Sequence, residues 1–413
     1  MKYTKFLILV LVTLLALGSV TAVLAQDQMG AVNLVIWSQD GDDNNVVLAE
    51  QFQVWADTVA PGSTLEIVQK ETEVLRTDLL AAGLAGSGLP DMVLGPNDAI
   101  GVFVDAGILQ PLDGLFDIAK YPYNIGAAQV GGETWGVPTN AGNHLMLMYN
   151  KSLVETAPDT WEDLIATAKG ITEANPEIQG FAYNLNEPFW FLPFVHGFGG
   201  STYDAEGNMV LDSQSWVDAY AFVQNLKFTE EVVPQECDYA CANDLFKEGS
   251  VAMIINGDWA IGEYLNTEQS PALGEENLGL APWPALPNGE RPMPFTAGKF
   301  VSVPNTVEGA QLDGVVSFVT WLTTDASAVE AYALGTSRLP AIAEVTVDAE
   351  SNPILAASAA ALQTGIGMPA DPTLRCMWDS VRPNLEGVMS NSVTPEDAAA
   401  EAQIAAEDCL SAL

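Results

Sequence analysis

Val32-Asn33-Leu34-Val35-Ile36-Trp37 is an apolar run of strand length, and the segments that follow it decide the fold. A polar loop comes next, Ser38 to Asn45. Leu48, Phe52, Trp55 and Val59 then recur at helical spacing, which predicts a helix with one buried face. Pro61-Gly62 stops it. Leu65 to Val68 reads as a second strand, and Leu75, Leu79 and Ala82 as a second helix running into Gly83, Gly86 and Gly88. Asp91-Met92-Val93-Leu94-Gly95 is a third short strand. Strands that alternate with amphipathic helices build βαβ units and a mostly parallel sheet. Ligands of such sheets gather at the carboxyl ends of the strands, which places the loops 38–45 and 96–98 at a site.

The alternation continues along the chain. Thr160 is a helix N-cap with Asp163 three residues on, and Trp216 to Lys227 is a further helix. Phe246 to Gly249 closes another, and Val251 to Ile255 is a buried strand leading into Asn256-Gly257-Asp258-Trp259. Phe300 to Val303 is a strand, and Val315, Phe318, Val319 and Leu322 form a helical stripe. Thr394-Pro395 is an N-cap with proline at the first helical position, opening an alanine-rich terminal helix. No short repeat or low-complexity linker marks a boundary.

The 413 residues carry 14 Lys+Arg against 54 Asp+Glu, so 14 − 54 = −40, and this scarcity of cations argues against nucleic acid and against anionic lipid. With 48% apolar residues the chain is not a disordered acidic polymer; its charge suits an acidic surface in a salty medium. Lys2 and Lys5 precede an apolar run from Phe6 to Leu17, and Val23-Leu24-Ala25 supplies small residues at a cleavage site. Residues 1–25 therefore read as a secretory signal peptide, leaving a mature chain of 388 residues from Gln26 with charge 12 − 54 = −42 and no cysteine for a lipid anchor. Export favours pairing of the four cysteines. Cys237 and Cys241 are close enough to bridge a turn, and Cys376 and Cys409 would join two C-terminal helices. Neither His144 nor His196 lies in a Cys/His zinc pattern.

There is no nucleophile elbow, phosphate loop, His-Glu-x-x-His or dinucleotide fingerprint. His144 and His196 sit in apolar surroundings and read as packed or pocket-lining residues. The 54 acids always supply candidate pairs for glycoside cleavage. The ten tryptophans say more. Trp55, Trp161, Trp216 and Trp321 fall on helical stripes or helix starts and read as core. Trp37, Trp259 and Trp378 are instead followed by polar or small residues, and Trp190 lies in what reads as an aromatic loop beside Glu187. An indole offers a flat apolar face to the C–H face of a sugar ring, while nearby carboxylates and amides pair with its hydroxyls.

Several segments carry a resemblance. Leu89-Pro90-Asp91-Met92-Val93, Gly132 to Pro138, Met148-Tyr149-Asn150-Lys151, Pro158 to Leu164, Phe246 to Trp259, Met368-Pro369 and Trp378 to Arg382 follow one another as in the maltose/maltodextrin-binding family. The chain thus resembles extracellular solute-binding proteins of ABC transporters, the type II periplasmic binding proteins. The resemblance implies an α/β fold of two lobes joined by a hinge: 26–141 with 296–337 as the N-terminal lobe, and 142–295 with 338–413 as the C-terminal lobe.

The same resemblance implies a non-catalytic receptor that holds a di- or oligosaccharide between its lobes and delivers it to permease subunits in the membrane, without cofactor, as an extracytoplasmic monomer. By position, Asp98 and Glu187 fall on sugar-binding carboxylates, Trp259 and Trp378 on stacking tryptophans, and Phe189 beside them with Trp190. Asn143 replaces a carboxylate, Asp379 takes an aromatic position, and Asp42 lies near where a lysine is expected, all departures from a maltose site. A polyamine receptor, which also uses tryptophans and carboxylates, is the rival ligand reading. A secreted glycoside hydrolase using Asp98 or Glu187 is the rival of another class.

Overall fold

The computed structural model describes residues 29–121, 125–342 and 345–412. The expected signal peptide, 1–25, lies outside them. Among the described residues twelve strands fall into two main sheets and one small ribbon. In chain order they are β1 (Asn33–Ser38), β2 (Thr64–Gln69), β3 (Met92–Gly95), β4 (Gln129–Val130), β5 (Glu133–Thr134), β6 (Val137–Gly142), β7 (Leu145–Asn150), β8 (Gln179–Tyr183), β9 (Val251–Gly257), β10 (Leu278–Ala281), β11 (Phe295–Ser302) and β12 (Ile366–Gly367).

The first sheet has the order β12-β11-β3-β1-β2, with β6 paired to β11. β1 runs parallel to β2 and β3, as the opening βαβα pattern predicts. The helix Asp42–Thr58 starts earlier than expected, within the loop read at 38–45, because Asp42 and Asp43 favour the positive end of the helix dipole. It buries Leu48, Phe52 and Trp55. The helix Thr72–Ala85 ends at Gly86 in a left-handed cap, φ 65°, where a glycine carries no Cβ penalty.

The second sheet has the order β10-β7-β9-β8. Its helices behave as their caps predict: Thr160 Oγ1 accepts the Asp163 N–H at 3.1 Å, and Thr394 Oγ1 accepts that of Asp397 at 3.1 Å. Neither sheet is wholly parallel. β11 is antiparallel to β3 and β6, and β7 to β9 and β10. Of these strands, β6 runs into β7 and β10 into β11 from one sheet to the other without a helical crossover to turn the chain round.

Those two direct connections carry the chain between the sheets. A third passage leaves the first sheet beside β6, where Ala141 N–H donates to Leu339 O at 3.0 Å. Several short passages side by side form a hinge. Trp55, Trp161 and Trp216 are fully buried, as expected. Trp321 is a correction. It lies half-buried on the outer flank of the helix Gly309–Thr324, whose apolar stripe is carried by Val315, Phe318, Val319 and Leu322. Trp283, not singled out from the sequence, is core instead, its indole donating to Leu145 O at 2.9 Å. Both cysteine pairs are bridged as expected, with Cα–Cα distances of 5.2 Å for Cys237–Cys241 and 5.6 Å for Cys376–Cys409. Among the described residues no helix is long and apolar enough to cross a membrane.

Candidate functional site

The hinge sets the floor of the site. Asn143 turns the chain between β6 and β7 with φ 50°, a left-handed conformation that asparagine tolerates better than most residues. Gly142 beside it has φ 149°, and a Cβ there would collide with the carboxylate of Asp258. Asp258 Oδ1 accepts the His144 N–H at 3.3 Å, and His144 Nε2 lies 3.0 Å from Ser358 O. Burial holds the His144 pKa below the usual imidazole value, though Asp258 and the Ser358 carbonyl pull the other way. His144 is therefore a packed residue, as its apolar neighbours predict.

An aromatic wall rises from the second sheet. β9 ends at Gly257, and the 3-10 turn Asp258–Ala260 presents Trp259. The Trp259 ring lies across Gly257, in space that any Cβ would occupy. Its Nε1 donates to Tyr239 Oη at 3.2 Å. Phe189 stands 6.2 Å from Trp259 and 6.3 Å from Trp378, centroid to centroid. Trp378 comes from the helix Leu374–Met389, packs edge-on to Phe295 at 6.2 Å, and keeps Nε1 buried without a partner. Trp190 is not in a loop. It belongs to the helix Pro188–Gly197, is 7% exposed, and donates to Ile255 O at 3.0 Å while meeting Trp259 edge-on at 5.7 Å. It braces the wall from behind.

The carboxylates around this wall are largely neutralised. Arg382 grips Glu187 with both ends of its guanidinium, at 2.6 and 3.0 Å. Arg375 pairs with Asp379 at 2.7 Å and reaches Glu73 of the first lobe at 3.5 Å. Arg338 holds Asp40 bidentately at 2.8 and 2.9 Å, both side chains fully buried. Burial works against ionisation of Asp40, but Arg338 and Lys299 outweigh it and keep its pKa low. Lys299, buried on β11, has its pKa pushed down to about 8 by burial, even with Asp40 close by.

Asp98 is the exception. It sits on the 3-10 turn Asn97–Ala99 after β3, with Oδ1 buried and unpartnered. Burial raises its pKa, opposed by Arg76 and Lys299. Asn97 Oδ1 and Gln39 Oε1 are likewise buried acceptors without a donor. Asp98 Oδ1 of one lobe and Trp378 Nε1 of the other thus stand unused, an acceptor and a donor that a ligand rich in hydroxyls would satisfy.

Of the residues expected from the sequence, the structure brings Glu187, Phe189, Trp190, Trp259 and Trp378 into one wall. Asp98 stands on the opposing lobe within the field of Arg375. Asp379 faces solvent in its pair with Arg375, Asn143 lies on the hinge, and Asp42 is an exposed first-turn residue. Sequence reasoning missed Arg382, Arg338, Lys299 and Tyr239. Cations offered a signal: the chain has five arginines, and Arg338, Arg375 and Arg382 each pair with a carboxylate here.

Two α/β lobes, joined by crossing strands and closing on a wall of aromatic rings and paired charges, define a two-lobed solute-binding protein. The relatives agree. The chain belongs to the bacterial extracellular solute-binding protein family, whose model matches residues 48–359. It is 25% identical over 378 residues to the maltotriose-binding protein of Pyrococcus abyssi (strain GE5 / Orsay), covering 88% of this chain and 79% of that one. It is 27% identical over 333 residues to the maltodextrin-binding protein MdxE of Bacillus subtilis (strain 168), covering 76% of each. Among solved structures, the maltose/maltodextrin-binding domain of Bdellovibrio bacteriovorus bound to maltotriose superposes with TM-score 0.81 at 31% identity, over 92% of this chain and all of that one. The maltotriose-binding protein of Thermus thermophilus shares the fold, with TM-score 0.81 at 24% identity.

Proposed function

We propose that this protein is an exported, non-catalytic receptor that captures a neutral oligosaccharide, of maltodextrin type, between its lobes and presents it to an ABC importer in the membrane. The observation that carries the reading is the pairing of Glu187 with Arg382 beside the half-buried rings of Phe189 and Trp259. Both oxygens of Glu187, the wall's carboxylate, meet a guanidinium, so the wall offers a dipolar pair and stacking surface rather than free negative charge. A polyamine needs free carboxylates to balance its ammonium groups. A neutral sugar needs acceptors such as Asp98 and flat apolar faces such as Trp259. The relatives named for maltotriose and maltodextrin support the same ligand class.

Catalysis is disfavoured by the same pairing. A glycosidase needs a second carboxylate free to act as base or nucleophile, and both oxygens of Glu187 are held by Arg382. The signal at 1–25, with cleavage after Ala25, would deliver the chain to the extracytoplasmic side where its disulfides form. There, closure over the sugar is favoured because only the closed form lets both lobes contact it.

Calorimetric titration with maltose, maltotriose and longer maltodextrins, alongside spermidine and putrescine, tests this. Saturable binding of at least one neutral saccharide, with no product on prolonged incubation, is expected. Polyamine binding with no saccharide bound, or release of shorter sugars, would overturn it.

A further inference from the structure

Each disulfide is tied to one tryptophan of the wall, Cys237–Cys241 through Tyr239 and Cys376–Cys409 through the helix that carries Trp378. Cys237 and Cys241 enclose Tyr239, the first residue of the helix Tyr239–Lys247. Tyr239 is the acceptor for Trp259 Nε1 at 3.2 Å, and its ring packs edge-on to Trp190 at 5.9 Å. Cys237 O also accepts the Leu185 N–H at 3.2 Å, two residues before Glu187. Asp238, between the cysteines, caps the helix through the Cys241 N–H at 2.9 Å. The backbone that carries Tyr239 thus lies inside the bridged turn, while its hydroxyl meets Trp259 and Asn256.

The second bridge works on the other tryptophan. The helices Leu374–Met389 and Pro395–Leu410 form a hairpin joined by a short loop at one end. Cys376–Cys409 joins them at the opposite, open end. Trp378 lies two residues beyond Cys376, and Arg382 four beyond that. Arg375, immediately before Cys376, makes the ion pair to Glu73 across the cleft. The open end of a helical hairpin is where fraying begins. Here it carries a ring, a cleft-spanning cation and the guanidinium that locks Glu187.

We infer that the four cysteines are positioning residues for ligand binding: Cys237–Cys241 orients Trp259 through Tyr239, and Cys376–Cys409 orients Trp378 through the start of its helix. Reduction then loosens the wall and lowers stability, but both sheets stay paired through their own backbone ladders, which neither bridge enters. Affinity falls by a lost preorganisation, since rings free to reorient must be ordered again by the ligand. The inference rests on the sugar-receptor reading for what is bound, but not for which ring each bridge holds.

The test uses the mature chain labelled with 5-fluorotryptophan, its resonances assigned by single Trp→Phe variants. C237S/C241S is expected to move or broaden the Trp259 signal, C376S/C409S that of Trp378, with the Trp161 and Trp216 signals unchanged as controls for the fold. Y239F, which keeps the bridge and removes only the hydroxyl, is expected to move Trp259 as well, and it serves if a cysteine variant fails to fold. Titration with maltotriose is expected to show a Kd about tenfold higher in each double variant, from the ordering that the loosened rings then require. Folded variants whose Trp259 and Trp378 signals stay unmoved would overturn the inference. If the disulfide-bonded protein binds no maltotriose, the ligand reading falls while the fluorine signals still decide the positioning role.

Discussion

Trp161 and Trp378 are both large and both mostly enclosed, yet truncation separates them. Trp161 is wrapped by Phe181, Phe194, Phe222 and Trp283, with ring centroids 5.3–6.4 Å away. Trp161→Ala is expected to lower stability by about 3–5 kcal/mol in denaturant unfolding. Trp321→Ala should cost clearly less, because that ring is only half-buried. Trp259→Ala and Trp378→Ala should leave a folded protein whose saccharide affinity falls by about 2 kcal/mol or more, the scale of an aromatic anchor. Unchanged affinity in both would refute their role as platforms. Arg338 carries a different kind of penalty. Arg338→Met strands the buried carboxylate of Asp40, so unfolding free energy should drop by about 3–5 kcal/mol, and the double variant with Asp40→Leu should recover much of it. A drop no smaller in the double variant would show that packing, not charge, was lost.

At the scale of elements, the helix Pro188–Gly197 shows how one side chain couples to pH. His196 Nδ1 lies 2.8 Å from Met293 O, on the passage between β10 and β11. Burial pushes its pKa down to about 4, and the Met293 carbonyl only partly opposes this. The unfolded chain takes up a proton below about pH 6.5, while the native helix resists until about pH 4. Stability should therefore be flat above that window and fall as pH drops through it, by as much as about 3 kcal/mol from this group. His144 shifts in the same direction. Urea midpoints between pH 7 and 4.5 check it, and His196→Gln should flatten the slope; an equally steep slope in the variant would assign it to other groups. The hairpin Leu374–Met389 with Pro395–Leu410 carries its own term. Its bridge closes a loop of sequence separation 33, for which chain entropy predicts about 4 kcal/mol of stabilisation, measurable on reduction.

For the whole molecule, the contrast is between a strongly acidic chain and an arginine-paired site. A chain of formal charge −40 surrounds a wall whose carboxylate, Glu187, is locked in an ion pair with Arg382. A cationic ligand would be drawn by the long-range field, and its affinity would collapse as salt screens it over a Debye length near ~10 Å at 0.1 M. A neutral oligosaccharide feels short-range contacts alone. Saccharide affinity measured by tryptophan fluorescence should thus change little between low and high salt, and a steep loss would point to a charged ligand. Two contacts span the lobes at the rim, Glu73 with Arg375 at 3.5 Å and Gln269 with Asp43 at 2.7 Å. They favour closure only weakly because they are exposed.

The sequence by itself determined the alternating α/β architecture, the helix caps at Thr160 and Thr394 and the buried roles of Trp55 and Trp216, and it favoured, among three connectivities, the cysteine pairing that the structure shows. Each depends on local spacing: apolar residues at strand or helix period, a hydroxyl before a helix, thiols close in the chain or on facing helices. The aromatic wall was half legible, since Trp259 and Trp378 announce themselves by polar neighbours and by the family's motif. What only the tertiary structure decided was who neutralises whom. Glu187 and Arg382, 195 residues apart, and Asp40 and Arg338, 298 apart, meet because the chain crosses the hinge several times. No local pattern encodes such a meeting. It also moved Trp190 from an expected loop to the back of the wall and left Trp321 half-buried at the edge of the core, because which side of a helix is covered depends on the elements packed against it, and those come from distant chain.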